Sequence, residues 1–133
     1  MKNYFAYGSN MDTEQMLMRC PQSIIQKKAV LSGYEFFIKK RGYANIRQNK
    51  QKVVHGIIYK ITEDDESKLD DYEGVQYGTD TKPTSAELNA YYYLATETNE
   101  GQPKKGYLEN IIEAAQAHNF PKEYIAELGR WLK

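Results

Sequence analysis

One segment constrains the fold more than any other: Val53-Val54-His55-Gly56-Ile57-Ile58-Tyr59-Lys60-Ile61. Its apolar character is nearly continuous, so it predicts a central strand buried on both faces. Gly56 in its interior marks a bulge or a close approach of another backbone. A central strand needs neighbours. Residues 3–7, Asn3 to Tyr7, read as a short buried strand ended by Gly8. Ile24-Ile25, Ala29-Val30-Leu31 and Tyr34 to Ile38 are further apolar stretches, and Ser32-Gly33 breaks or bulges the strand between the last two. Tyr43 to Ile46 reads as another short strand. Leu88 to Thr96 reads as a strand centred on Tyr91-Tyr92-Tyr93-Leu94.

Helical signals fall between and after these strands. Met11 to Arg19 has helical spacing, with Asp12 as N-cap, Glu14 in the first turn and Pro21 as terminator. Thr62 caps a second helix, with Asp65 in a capping-box position; it runs through Leu69 and ends near Gly74. Residues 76–86 and 99–105 read as loops. Tyr107, Leu108, Ile111, Ile112 and Ala115 repeat at helical spacing. Pro121 suits the start of a last helix, whose apolar face is Tyr124, Leu128, Trp131 and Leu132. Strands come mostly first and a helical pair last, which makes the class α+β.

Length and charge narrow the partners. The chain has 133 residues, which fits a single domain over 1–133. Eighteen basic residues balance eighteen acidic ones, so no generic attraction to nucleic acid or an anionic membrane is expected. No stretch reaches the roughly 20 apolar residues of a membrane span, and the segment from Met1 to Tyr4 has no secretory-type apolar run. Cys20 is the one cysteine, so no internal disulfide forms and a cytoplasmic location is expected. Cys20, His55 and His118 do not make a zinc pattern. The twelve tyrosines read mainly as core and strand residues that keep a hydroxyl at the surface or in a pocket.

Two segments could carry chemistry. Tyr7-Gly8-Ser9-Asn10-Met11 joins a strand to a helix. A glycine there permits close backbone approach, and free N–H groups at a helix start suit a carboxylate, a phosphate or a polarised carbonyl. An ordinary strand–turn–helix connection explains the same residues equally well. The other segment is Asp70-Asp71-Tyr72-Glu73-Gly74-Val75, with three acids at a helix C-terminus, where the dipole disfavours them. Glu73, beside Gly74 and Val75, is placed to turn inward; burial would raise its pKa toward neutrality. Asp70 and Asp71 read as solvated.

The remaining candidates read as structural. No nucleophile-elbow pattern surrounds Ser9. Cys20 lies at a helix end, where nothing activates a thiolate. His55 lies in a buried strand, His118 is placed to cap a helix, and Lys39-Lys40-Arg41, beside Tyr43, could meet an anionic ligand, although a solvated turn explains it better.

Four blocks, in order, give the chain a resemblance. They are Tyr4 to Met11, Gly42 to Ile46, Val54 to Tyr59 leading to Leu69-Asp70-Asp71-Tyr72-Glu73-Gly74-Val75, and Tyr107 to Ile112 leading to Phe120 to Tyr124. Together they resemble the γ-glutamyl cyclotransferase superfamily, most specifically in Tyr-Gly-Ser-Asn joined with Tyr-Glu-Gly-Val. The resemblance implies a small mixed β-barrel with surrounding helices and a pocket at one end. It implies that Tyr7, Gly8, Ser9 and Asn10 bind the γ-glutamyl group, that Tyr4, Phe5 and Ala6 lead into that loop, that Tyr107 lines the pocket, and that Glu73 is the acid–base catalyst. It implies a small γ-glutamyl substrate converted to 5-oxoproline and a free amine, with no cofactor and no metal. The segment from Val75 to Tyr91 is shorter than in the family, with Tyr77 standing in for a lid tyrosine, and Asn45 replaces a residue that is more often threonine. A binding or regulatory protein that keeps the pocket without turnover is the alternative reading, and an unrelated small hydrolase is a third.

Overall fold

The apolar run at 53–61 is one half of a strand of 18 residues, β3 (Ala44–Ile61). A computed structural model describes residues 1–132. Its β2 (Ile24–Ile38) is a strand of 15 residues that pairs antiparallel with β3, from Ile24 opposite Lys60 to Ile38 opposite Ala44. The separate short strands expected at 43–46 and 53–61 are therefore one strand. So are the apolar stretches between Ile24 and Ile38. Of the polar residues between the two halves of β3, Arg47 pairs with Glu35 and Gln48 with Tyr34, whereas Asn49 to Lys52 have no partner on β2 and bulge from the ladder opposite Gly33. The bulge expected at Ser32-Gly33 is present as a register shift between Ser32 and Tyr34, with Gly33 at φ +83°.

β1 (Lys2–Ala6) lies on the other side of β3, antiparallel, from Lys2 opposite Ile61 to Ala6 opposite Ile57. β3 is thus internal, and Ile57, Ile58 and Tyr59 are all buried, as expected for a strand covered on both faces. A Cβ on Gly56 would stand 2.4 Å from the Ala6 carbonyl oxygen and 2.6 Å from the Phe5 ring, so the close backbone approach is real.

The stretch Leu88–Thr96 is not one strand. β6 (Ala90–Tyr91) runs parallel to β1 and antiparallel to β5 (Thr84–Ser85), whereas β7 (Leu94–Ala95) pairs with β4 (Asp80–Thr81) in a separate ribbon. Tyr91, Tyr92 and Tyr93 are buried in succession, which an alternating strand does not do; the chain crosses between the two sheets here. Two of these short strands also lie in the segment expected to be loop. The main sheet has the order β2-β3-β1-β6-β5, an open half-barrel of mixed strands.

Among the described residues, four α-helices complete the α+β arrangement. α1 (Thr13–Arg19) follows a single 3-10 turn at Ser9–Met11, and Asp12 Oδ1 caps it by accepting from the Glu14 and Gln15 N–H groups. α2 (Glu63–Glu73) is capped by Thr62 Oγ1, which accepts from Asp65 N–H at 3.1 Å. The reciprocal half of the capping box is missing, because the Asp65 carboxylate accepts from Gln22 N–H instead and ties α2 to the start of β2. Gly74 ends α2 at φ +71°. α3 (Tyr107–Ala117) and α4 (Lys122–Gly129) bury Leu108, Ile111, Tyr124 and Leu128. Trp131 and Leu132 lie beyond α4, and Leu132 is exposed. Among the described residues no helix is long and apolar enough to cross a membrane.

Candidate active site

A cavity of about 590 Å³ opens where the end of β1, the end of α2, the β2–β3 turn and the start of α3 converge. The Tyr7–Asn10 turn forms one wall. The first N–H groups of a helical turn have no partner within it, and those of Gly8, Ser9 and Asn10 have no hydrogen-bond acceptor among the described residues, while Met11 and Asp12 N–H donate back to Gly8 and Ser9 carbonyls. Gly8 lies at φ −119° and ψ −136°, and an added Cβ would meet the Tyr107 hydroxyl at 3.4 Å and Ala44 Cβ at 3.5 Å.

Asn10 is buried, and its side chain and carbonyl are held by the protein. Its Nδ2 donates to Tyr4 Oη at 3.0 Å, its Oδ1 accepts from Arg19 at 2.6 Å, and its carbonyl accepts from the Tyr59 hydroxyl at 2.7 Å. Asn10 therefore fixes the shape of the turn. The 3-10 turn is held from a third side by His118, whose Nε2 bonds the Met11 carbonyl at 2.8 Å. His118 thus ties α3 to the turn through its ring, rather than capping α3 with it.

Arg19 was not singled out by the sequence. It donates to Ser9 Oγ, Asn10 Oδ1 and the Tyr72 hydroxyl, with its guanidinium 3.9 Å from the centre of the Tyr72 ring. Asp12 starts α1 so that its last turn presents Arg19 to Asn10; nothing local in the sequence marks this. Lys39 and Arg41 also line the cavity, so the basic run is not simply a solvated turn. The chain folds it over the site because Gly42, at φ +97°, packs against the backbone of Gln102 and Lys104.

Glu73 lies at the C-terminus of α2, half-buried on the cavity wall. Burial lifts its carboxyl well above the usual range, and the neighbouring Asp80 charge and hydrogen bond lift it further; Lys39 and Arg19 pull it back. Asp80, on β4, is buried beside it, although the sequence around it has the polar character of a loop. Tyr107 lines the cavity as well, its hydroxyl oxygen accepting from Ala44 N–H at 3.0 Å and its ring edge-on to Tyr43. Tyr77 lines the rim and is 78% exposed.

The cavity brings Tyr4, Tyr7, Gly8, Ser9, Asn10, Glu73 and Tyr107 together. Phe5 and Ala6 are not on its wall: both are packed in the core, Phe5 with its ring against Gly56. Asp70 is not free in solvent; it accepts from the Tyr93 hydroxyl at 2.8 Å and pairs with Lys82. Asp71 is exposed, as expected. Asn45 is buried and bonds the backbone of Ala95 and Glu97, holding β7 against β3. His55 packs on Phe120 and Tyr124. The Cys20 thiol is buried and pushed up to about 11 by that burial, so it is no thiolate nucleophile. Among the described residues no three His, Cys, Asp or Glu side chains are grouped to hold a metal.

Known proteins are similar to this chain in sequence and in fold. The model of the family described as gamma-glutamyl cyclotransferase, AIG2-like, matches residues 4–111. Mouse gamma-glutamylcyclotransferase is 29% identical over 142 aligned positions, which span 94% of this chain and 76% of the mouse protein. The human protein of that name is 28% identical with the same coverage of both chains. A solved structure named gamma-glutamyl cyclotransferase, 26% identical, superposes with a TM-score of 0.82 over 96% of this chain and 85% of its own. With the matched span reaching from the strand before the turn into α3, the chain belongs to the gamma-glutamyl cyclotransferase, AIG2-like family.

Proposed function

We propose that this protein is a cyclotransferase that converts a γ-glutamyl amino acid or γ-glutamyl amine to 5-oxoproline and the free amine. The observation that carries this reading is the position of Glu73: a carboxyl with a raised pKa on the wall of the same cavity as the Tyr7–Asn10 turn. The substrate's own α-amine attacks its γ-carbonyl carbon, so the reaction is intramolecular and gains much of its rate from proximity. The enzyme must free the amine's lone pair and protonate the departing nitrogen. Glu73, titrating nearer neutrality than an ordinary carboxylate, suits both tasks. The free N–H groups of Gly8 and Ser9 are suited to the oxyanion or the α-carboxylate. Tyr107 and Tyr4 bound the space that the γ-glutamyl chain would fill. Phe5 and Ala6 support the loop from the core.

The test is product formation. Incubation with a panel of γ-glutamyl amino acids and amines is expected to release 5-oxoproline, and Glu73→Gln should lower kcat by about 100-fold or more while ligand still binds. Binding without product from the unaltered protein would instead support a binding or regulatory role. Full turnover by Glu73→Gln would remove Glu73 from the mechanism.

A further inference from the structure

Glu73 does not stand alone on its wall. The chain leaves α2 at Gly74, makes a 3-10 turn over Val75–Tyr77, turns again at Gly78 (φ +75°) and returns at Asp80. Thr79 Oγ1 fastens this loop by donating toward the Glu73 and Gly74 carbonyls, and Thr96 N–H donates to Thr79 O at 3.0 Å. Asp80 is then fixed in register opposite Ala95. It is 6% exposed, lines the cavity, and lies within hydrogen-bonding reach of Glu73. None of the ion pairs among the described residues involves either carboxyl.

We infer that Asp80 and Glu73 form a carboxyl pair that holds one proton and acts in ring closure as a single acid–base unit. The inference rests on the cyclotransferase reading of the cavity. Two adjacent carboxyls removed from water do not both ionise. Burial raises both; their mutual hydrogen bond raises Glu73 and lowers Asp80, which puts the shared proton on Glu73 and the charge on Asp80. The groups facing the pair fit that state. Lys39 from the β2–β3 turn and Arg19 from α1 favour one negative charge, while Tyr4, Tyr7 and Tyr107 are neutral phenols held well above their ordinary range by burial.

The proton balance gives the pair a purpose. Ring closure forms a bond from the α-nitrogen to the γ-carbon and breaks the bond from that carbon to the departing nitrogen. The α-ammonium begins with three protons and the lactam nitrogen keeps one, so two must leave. The departing nitrogen begins as an amide N–H and leaves as an ammonium, so it gains two. A lone carboxylate must empty itself between each transfer. A pair with one proton takes the first from the α-ammonium at Asp80 and delivers another from Glu73 as the C–N bond breaks. The proton then passes from Asp80 to Glu73 across their shared hydrogen bond, the exchange repeats, and the same passage returns the pair to its starting state.

The experiment measures kcat against pH for the unaltered protein and for Asp80→Asn, with a carbon-13 NMR titration of the Glu73 carboxyl in each without ligand. The unaltered protein should show a bell, falling where the pair gains a second proton and again where it loses its one. Asp80→Asn keeps a polar partner of the same shape but removes the charge. It should lower kcat by about 10–100-fold and move the Glu73 titration down by about one pH unit or more, with partial recovery in Asp80→Glu. A folded Asp80→Asn with kcat and Glu73 titration unchanged overturns the pair. If the unaltered protein makes no 5-oxoproline, the cyclotransferase reading fails, and the titrations still decide the pair. If Asp80→Asn does not fold, the unaltered protein decides it: two well-separated carboxyl steps support the pair, and two carboxyls titrating together in the ordinary range overturn it.

Discussion

Gly8 illustrates how a residue's surroundings can set what may replace it. Its φ is ordinary, and an alanine methyl would fit at normal contact distance from Tyr107 and Ala44. A larger side chain would not. It would press on the Tyr107 hydroxyl, which accepts from Ala44 N–H and links α3 to β3 across the cavity. Gly8→Ala should therefore fold and bind nearly as the unaltered protein does. Gly8→Val should lose ligand affinity by about tenfold or more while its melting temperature falls only slightly. Calorimetric titration with a γ-glutamyl ligand, set beside thermal melts, separates the two effects; equal loss of binding and folding would make Gly8 an ordinary turn residue. Glu73, Tyr107 and the turn were legible because each lies within a short motif. Arg19 and Asp80 were not, since each reaches the cavity only through chain closure elsewhere, the register of α1 and the loop that follows Gly74; Lys39 was visible as part of a basic run, but what brings that run to the cavity is the Gly42 turn.

The elements show the same division between local pattern and long-range pairing. The centre of β3 was readable from its apolar run, yet its full length was not, because Arg47 to Lys52 carry no apolar signal, and of these only Arg47 and Gln48 pair with β2 while Asn49 to Lys52 bulge at the register shift. The three tyrosines at 91–93 suggested one strand; what they bury is a crossover between two sheets. Gly56 gives the element scale its own test. A methyl there would enter the Ala6 carbonyl and the Phe5 ring, and since the nearer contact is backbone, β1 would have to separate from β3. Gly56→Ala is expected to cost about 2–4 kcal/mol, read as a lowered denaturation midpoint. Gly33→Ala meets open space but keeps φ +83°, so it should cost only about 1 kcal/mol. Similar losses at the two positions would mean that β1 and β3 adjust freely.

At the scale of the whole molecule, the site sets itself against the fold's stability. Glu73 and Asp80 both have carboxyls raised above their ordinary range by burial, so the folded state holds a proton more tightly than the unfolded chain does. A raised carboxyl favours folding fully below its unfolded pKa, and that contribution is lost as pH rises through the folded value. The protein should accordingly be more stable on the acid side of neutrality than on the alkaline side, as far as this pair decides it. Acid pairs elsewhere act oppositely. Glu66 is held below its usual value by hydrogen bonds from Lys82 and Lys2, which outweigh its burial, so its contribution disappears as pH falls through its lowered value. A stability maximum between these two windows follows. Glu73→Gln removes the proton requirement at the site and leaves the Glu66 cluster intact. It should raise the melting temperature by about 2–5 °C at pH 8.5, with little change at pH 5. Thermal melts of both proteins across that range test it. An equal shift at both pH values would show that the Glu73 charge is not what the fold resists, and that the side chain acts there only through its packing.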